Sequence, residues 1–316
     1  MKKKILFAII GVGVLITIGL FVATKIFSAQ MGKALEGELN SFLQSQESQD
    51  MHIEFEPFVC EGSAKIVCKS PGLSIIKHAI TQDSQHSYTK TESLTELVRF
   101  SNLALTFGGN KTKALIDIES DISIQDKQLH TKCEHELTFI NPLLDLNVQC
   151  NTQIGDMESV QVAYLNLAHP SFQSSNLHKI IKTFKDSQQR NQLLENLEFA
   201  LISYRSDLKS QSLKQSISAF TKLPEKDMQF ISTAFAIMES GLRQAQNEET
   251  KELENDLANA FQIISDVYID DTIQEVWYEI TPKDSQNPKK FFVLQNVLNL
   301  SLADIAANFT LHSGKR

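Results

Sequence analysis

The four cysteines are the residues whose spacing best suggests chemistry. In "FVCEGSAKIVCK", Cys60 and Cys68 stand symmetrically about Ala64, across a stretch that reads as a turn. Cys133 and Cys150 bracket Asn141 and Pro142 in nearly the same way. Paired cysteines form disulfides in an exported domain and serve as metal or redox ligands in the cytosol. There is no C-x-x-C and no histidine at ligand spacing, so a zinc site and a dithiol redox centre are both disfavoured. Of the connectivities open to four cysteines, the local one, Cys60–Cys68 and Cys133–Cys150, is expected.

Other reactive side chains fall short of a constellation. Glu134 and Glu136 share one face of an expected strand, as a carboxylate pair would, but a solvated strand face gives them no means of shifting a pKa. His130 and His135 are five apart on that strand, hence on opposite faces, and cannot share a metal. No G-x-S-x-G, H-E-x-x-H, Walker-type or dinucleotide-binding motif is present. No catalytic residue, metal or cofactor is therefore expected. The formal charge of −8 argues against nucleic acid as a partner. Asp270 and Asp271 read as a turn, and Trp277, the single tryptophan, reads as a core residue.

The elements that would carry these residues change character along the chain. Over 51–168 the apolar period is two. Ile116, Ile118, Ile122 and Ile124 alternate with acidic residues, Leu129, Cys133, Leu137 and Phe139 with polar ones, and Leu144, Leu146, Val148 and Cys150 follow suit. "FGGNKTK" marks a turn between two strands. Consecutive strands with short turns predict an antiparallel sheet with one apolar face. Over 175–268 the period becomes 3.6. Leu177, Ile180, Ile181 and Phe184 form one stripe, and Leu193, Leu194, Leu197, Ala200 and Leu201 another. A third is Phe230, Ile231, Ala234, Phe235, Met238 and Leu242, and a fourth Leu253, Leu257, Ala260, Phe261 and Ile264. Over 272–316 strands and short helices return. The expected fold class is α+β: an antiparallel sheet covered by an amphipathic helical layer and completed by returning C-terminal strands.

The chain opens with "MKKK" and then Ile5 to Thr24, twenty residues without a charge. As a helix that stretch is about 30 Å long, matching a bilayer core. Ile5, Leu15, Phe21 and Thr24 mark its length as a membrane anchor. It is longer than a usual cleaved signal, and Phe27 stands where a cleavage site wants a small residue, although removal remains the alternative. Lys2, Lys3 and Lys4 would keep residues 1–4 cytoplasmic. The sequence thus predicts a single-pass bacterial inner-membrane protein with its bulk in the periplasm. Residues 25–47 read as a juxtamembrane amphipathic helix, with Phe27, Met31, Leu35, Leu39, Phe42 and Leu43 recurring at helical spacing.

The layout of span, stalk and strands, in "HIEFEPFVCEGSAKIVCKSPGLSI", "VRFSNLALTF" and the closing "EITPKDSQNPKKFFVLQNVLNLSLADIAANFTL", resembles the YdgA-like envelope proteins and more distantly the AsmA-like group. The resemblance carries no motif and no functional residue. It implies an envelope role, and the AsmA-like side implies lipid traffic. Two functions are expected in that order. The first is a non-enzymatic scaffold or partner-binding component of an envelope assembly, for example a flagellar or secretion machine. The second is a lipid-handling protein whose apolar sheet face takes an acyl chain. Membrane lipid at the N-terminal helix and a protein partner are the expected contacts.

Overall fold

The computed structural model describes residues 31–44, 51–62, 65–81, 91–110, 112–124, 127–174, 192–193, 195–244, 248, 250–283, 292–293 and 301–316. Among them are twelve strands, paired antiparallel, and five α-helices. The residues fall into two compact units that divide between Glu134 and His135, inside one strand.

In the first unit, helix α1 (Met31–Gln44) precedes strands β1 (Met51–Phe55), β2 (Val59–Gly62), β3 (Ile66–Thr81), β4 (Thr91–Gly109) and β5 (Lys113–Ile124), then the start of β6 (Lys127–Ile140). Strand β3 pairs with β4 along one edge. Its other edge is shared by β1, opposite Leu73–Lys77, and β2, opposite Ile66–Lys69. The break between β1 and β2 falls at Glu56 and Pro57, across from Ser70 and Pro71. Neither proline has an N–H to give a ladder. The buried Ser70 hydroxyl fills the gap by donating to the Glu56 carbonyl at 2.6 Å, and the Glu56 N–H donates to the Gly72 carbonyl at 2.9 Å. At the β4–β5 turn Asn110 Oδ1 accepts the backbone N–H groups of Thr112 and Lys113, both at 3.0 Å. Gly109 enters that turn at φ +133°, where a Cβ would lie 2.2 Å from the Lys113 carbonyl oxygen, so only glycine fits.

Helix α1 packs beside β1, β2 and β3. Leu35, Leu39 and Leu43, one turn apart, are fully buried. The next face of the helix meets backbone. Asn40 takes the Phe58 N–H on its Oδ1 at 2.8 Å and donates from Nδ2 to the Phe58 carbonyl at 3.2 Å, while Glu36 Oε2 accepts the Cys60 N–H at 3.0 Å. The side chains thus continue hydrogen bonding where no further strand is paired. Asn40→Ala leaves both polar groups of the buried Phe58 peptide without these partners. The expected loss is about 1–3 kcal/mol of stability, read from urea unfolding at constant m.

The second unit holds the rest of β6, then β7 (Leu143–Ile154), β8 (Met157–Ala168), a 3-10 turn (Pro170–Ser174), β9 (Glu198–Lys209) and helices α2 (Leu213–Thr221), α3 (Glu225–Gln244) and α4 (Lys251–Val267). Strands β10 (Glu275–Pro282) and β11 (Phe292–Val293), helix α5 (Leu302–Asn308) and β12 (Phe309–Lys315) complete it. The strand order is β7-β8-β9-β10-β12, with β11 on β9. One face of this sheet builds a core in which Val276, with Leu208 and Tyr278, meets Leu213, Ile263, Val267 and Ile273. Burial there pushes the Tyr278 hydroxyl pKa up to about 12.

Two expectations are overturned. The first is the α+β class with a sheet roofed by a continuous helical layer over 175–268. The described chain is mostly antiparallel strand, and the stretch read as the second helix of that layer contains the twelve-residue strand β9. Within β9 the apolar residues Phe199, Ala200, Leu201 and Ile202 run consecutively instead of alternating, and Ala200 and Leu201, with Leu197 just ahead of the strand, mimic a helical stripe. The second is the single-pass inner-membrane protein. Among the described residues no helix is long and apolar enough to cross a membrane. The longest, α3, has twenty residues but carries Glu225, Lys226, Asp227, Glu239 and Arg243. The stretch Ile5–Thr24, with Leu15 and Phe21, lies outside the described residues, as do residues 1–4, 25–30 and 45–47 of the expected N-terminal arrangement.

Candidate functional site

Cys60 and Cys68 are directly opposite on β2 and β3 and are joined by a disulfide. Cys133 on β6 and Cys150 on β7 are disulfide-bonded as well, and no cysteine is free. The two disulfides are consistent with an oxidising, extracytoplasmic compartment. Cys60 and Cys68 are buried beneath α1, so they act as a clamp on the β2–β3 pair.

The carboxylate and histidine candidates do not assemble into a catalytic group. Glu134 is tied to Lys132 at 3.1 Å on an exposed surface, and Glu136 accepts from Thr138 at 3.4 Å. His135 is buried and His130 exposed, the opposite faces that the spacing requires. His130 Nδ1 lies 2.8 Å from Asp121 Oδ1, and the Asn102 amide donates to Asp121 Oδ2 at 2.7 Å. The Asn102 bond and then His130 hold the Asp121 carboxyl below its ordinary range. Asn102 reaches it from a left-handed backbone (φ +54°) where the β4–β5 register shifts. Among the described residues no three His, Cys, Asp or Glu side chains are grouped to hold a metal ion.

One serine–histidine pair was not legible beforehand. His169 Nδ1 accepts the Ser171 backbone N–H at 3.1 Å and lies 2.7 Å from Ser171 Oγ. Because the backbone N–H needs an acceptor, the ring proton sits on Nε2 and the hydroxyl donates. Burial pushes the imidazole pKa down, which favours this neutral form. Both bonds fasten the start of the Pro170–Ser174 turn, the geometry of a cap. The sequence signal is "HPSF", a polar side chain ahead of a proline at the first turn position.

Trp277 lies on the sheet face opposite the Val276 core, since neighbours on a strand point to opposite sides. Its register partner on β12 is Gly314, and a Cβ there would stand 2.6 Å from the indole ring. The ring therefore lies across the glycine. The Arg205 guanidinium sits 4.8 Å from the ring centroid while bonding Asp207 through two nitrogens, at 2.8 and 3.0 Å. Gly314→Ala forces the ring outward. With one tryptophan in the chain, the expected result is a red-shifted, more quenchable intrinsic emission and about 1–3 kcal/mol less stability.

Strand β12 ends the strand order, and its outer edge is met by α4. The Asp256 carboxylate bonds the Leu311 backbone, with Glu252, His312 and Lys283 nearby. Burial raises the Asp256 pKa, so the folded state favours its protonated form. The stabilisation is present below the ordinary aspartate range and is lost as pH rises through the raised value. Asp256→Asn keeps an oxygen for Leu311 without charge. It should raise Tm at pH 7 and lose that advantage on acidification toward pH 3.8, checked by calorimetry across that range.

Helix α3 is apolar on two sides. Inward, Met228 and Ser232 are buried, Phe235 meets Phe261 and Tyr268 at ring centroid distances of 5.8 and 6.4 Å, and Ser232 bonds Ser265 of α4 at 2.8 Å. Outward, Phe230 is 74% exposed, Ile237 68% and Met238 42%. Spacings of seven and eight residues put these three on one stripe, with Ala234 and Gly241 between and beyond them. No charged residue occurs from Met228 to Met238. Scattered exposed apolar residues are ordinary, but a contiguous stripe on a helix already packed on its other side marks an interaction surface. Against known proteins, no family model and no curated protein matches the chain.

Proposed function

We propose that the protein is a non-enzymatic binding component of an extracytoplasmic, disulfide-forming compartment and engages a protein partner through helix α3. The observation that carries the reading is the outward stripe of Phe230, Ile237 and Met238. An apolar helix face of this kind gains by insertion against another protein surface, with the aromatic as anchor. The alternatives have less support. The reactive pairs on the strands are engaged in local ion pairs and caps. Acyl-chain binding on the first sheet would compete with α1, whose Leu35, Leu39 and Leu43 are buried beside β1–β3.

The test replaces Phe230 in the full chain with a photo-crosslinking phenylalanine analogue and irradiates the producing cells. A defined protein adduct, abolished by Ile237→Asp in the same chain, supports the reading. No protein adduct at any irradiation dose overturns it.

A further inference from the structure

We infer that helix α4 is a pH-gated latch on the outer edge of β12, closed while the Asp256 carboxyl is neutral and loosened once it is ionised. The register defines which backbone groups the latch covers. Glu275 and Arg316 exchange both of their backbone bonds, and the Lys283 N–H donates to the Asn308 carbonyl. By the alternation of an antiparallel ladder, Glu279 with His312 and Thr281 with Thr310 are also hydrogen-bonded pairs. Leu311, between them, turns its N–H and carbonyl away from β10. Its N–H is the group that Asp256 takes.

Every carboxylate that fastens the seam belongs to α4. Glu252 pairs with Lys283 and Asp266 with Lys315, both partly exposed, and Asp256 holds the Leu311 N–H between them. Asp256 differs from the other two. Its Oδ2 is shielded from solvent and has no hydrogen-bond partner among the described residues. When ionised it has one backbone donor and a second negative charge, Glu252, one helical turn away. The cationic groups facing it are His312 of β12 and Lys283 beyond β10, and Lys283 is already paired with Glu252. Helix α3 brings Arg243 to α4, where it bonds Asn259 and Gln262 as well as its own Glu239. A neutral carboxyl still offers Leu311 its carbonyl oxygen and no longer sets a charge against that seam. Burial holds the Asp256 carboxyl above its ordinary range, whereas Lys283 holds Glu252 below its own. On acidification from neutral pH, Asp256 therefore takes its proton first, while the flanking ion pairs survive. The seam is tightest in that window and loosens as pH rises through the raised value.

The experiment follows amide hydrogen exchange by NMR in the purified full chain with its disulfides intact. The readout is the protection of the Leu311 amide relative to those of Thr310 and His312, which donate to β10 and report opening of the sheet itself. Taking the ratio removes the pH dependence that all amides share. From about pH 4.5 to about pH 8 the relative protection of Leu311 should fall by roughly three- to tenfold. The fall should vanish in Asp256→Asn and persist in His312→Gln. A ratio in the parent chain that does not move with pH overturns the latch without recourse to any variant. So does a pH dependence that survives Asp256→Asn. Loss of the dependence in His312→Gln assigns the titration to the imidazole and overturns it as well. A parallel fall at Thr310 and His312 means that the strand unfolds rather than releases its edge, and it too overturns the inference.

Discussion

Leu39→Ala is expected to lower the unfolding free energy by about 2–5 kcal/mol, the range for deleting a fully buried leucine side chain. Leu39 is the middle of the three leucines that α1 sets beside β1–β3 and has no exposed surface. The loss combines the transfer of the missing carbons with a void that Leu35 and Leu43, held on adjacent turns, cannot collapse to fill. Urea unfolding followed by circular dichroism measures it. A change under about 0.5 kcal/mol would mean that the helix contributes no packing to the first unit. Trp277 emission provides a second channel, because it lies in the other unit and should respond only if the two units unfold together.

Removing the clamp at Cys60 and Cys68 gives the second large effect. The double replacement by serine should cost about 2–4 kcal/mol. The bridge closes a separation of only eight residues, so chain entropy places the loss near the lower end of that range. Burial adds to it: Cys68 has no exposed surface, and serine puts a hydroxyl there in place of sulfur. The single replacements should be worse expressed than the double, because each leaves an unpaired thiol for wrong pairing. A double variant as stable as the parent would show that the β2–β3 ladder and α1 suffice without the bridge.

Much of the strand content could be read from the residues themselves. The alternation from Ala114 to Ile124 fixes the faces of β5, and the glycines and Asn110 before it fix the turn. The reading fails where the two periodicities overlap. In strand β9 the apolar residues Phe199 to Ile202 run consecutively and do not alternate, so Leu193 through Leu201 fit a helical template as well as a strand. Helix α3 fails differently. The stripe read as core merges Phe230 and Met238, which face outward, with Ile231, Phe235 and Leu242, which are partly shielded. A helix apolar on two sides gives no sequence signal for which side is covered. Trp277 also departs from expectation: its parity with Val276 puts it on the opposite face, where Gly314 makes room for it. That arrangement depends on a partner thirty-seven residues away on β12 and has no local signature. The Asn40 contact with Phe58 is equally remote, eighteen residues apart in the chain.

That contact has a consequence for the behaviour of the protein in concentrated solution. A β-strand with a bare flank is a template on which another molecule can add a strand, and then another, until fibres result. At β2 the amide and carboxylate of Asn40 and Glu36 already occupy the hydrogen-bonding positions that an incoming strand would need. Helix α1 is therefore a stopper against sheet polymerisation. Chains lacking residues 1–44 should nucleate fibrils from the β2 flank under conditions in which the chain retaining α1 stays dispersed.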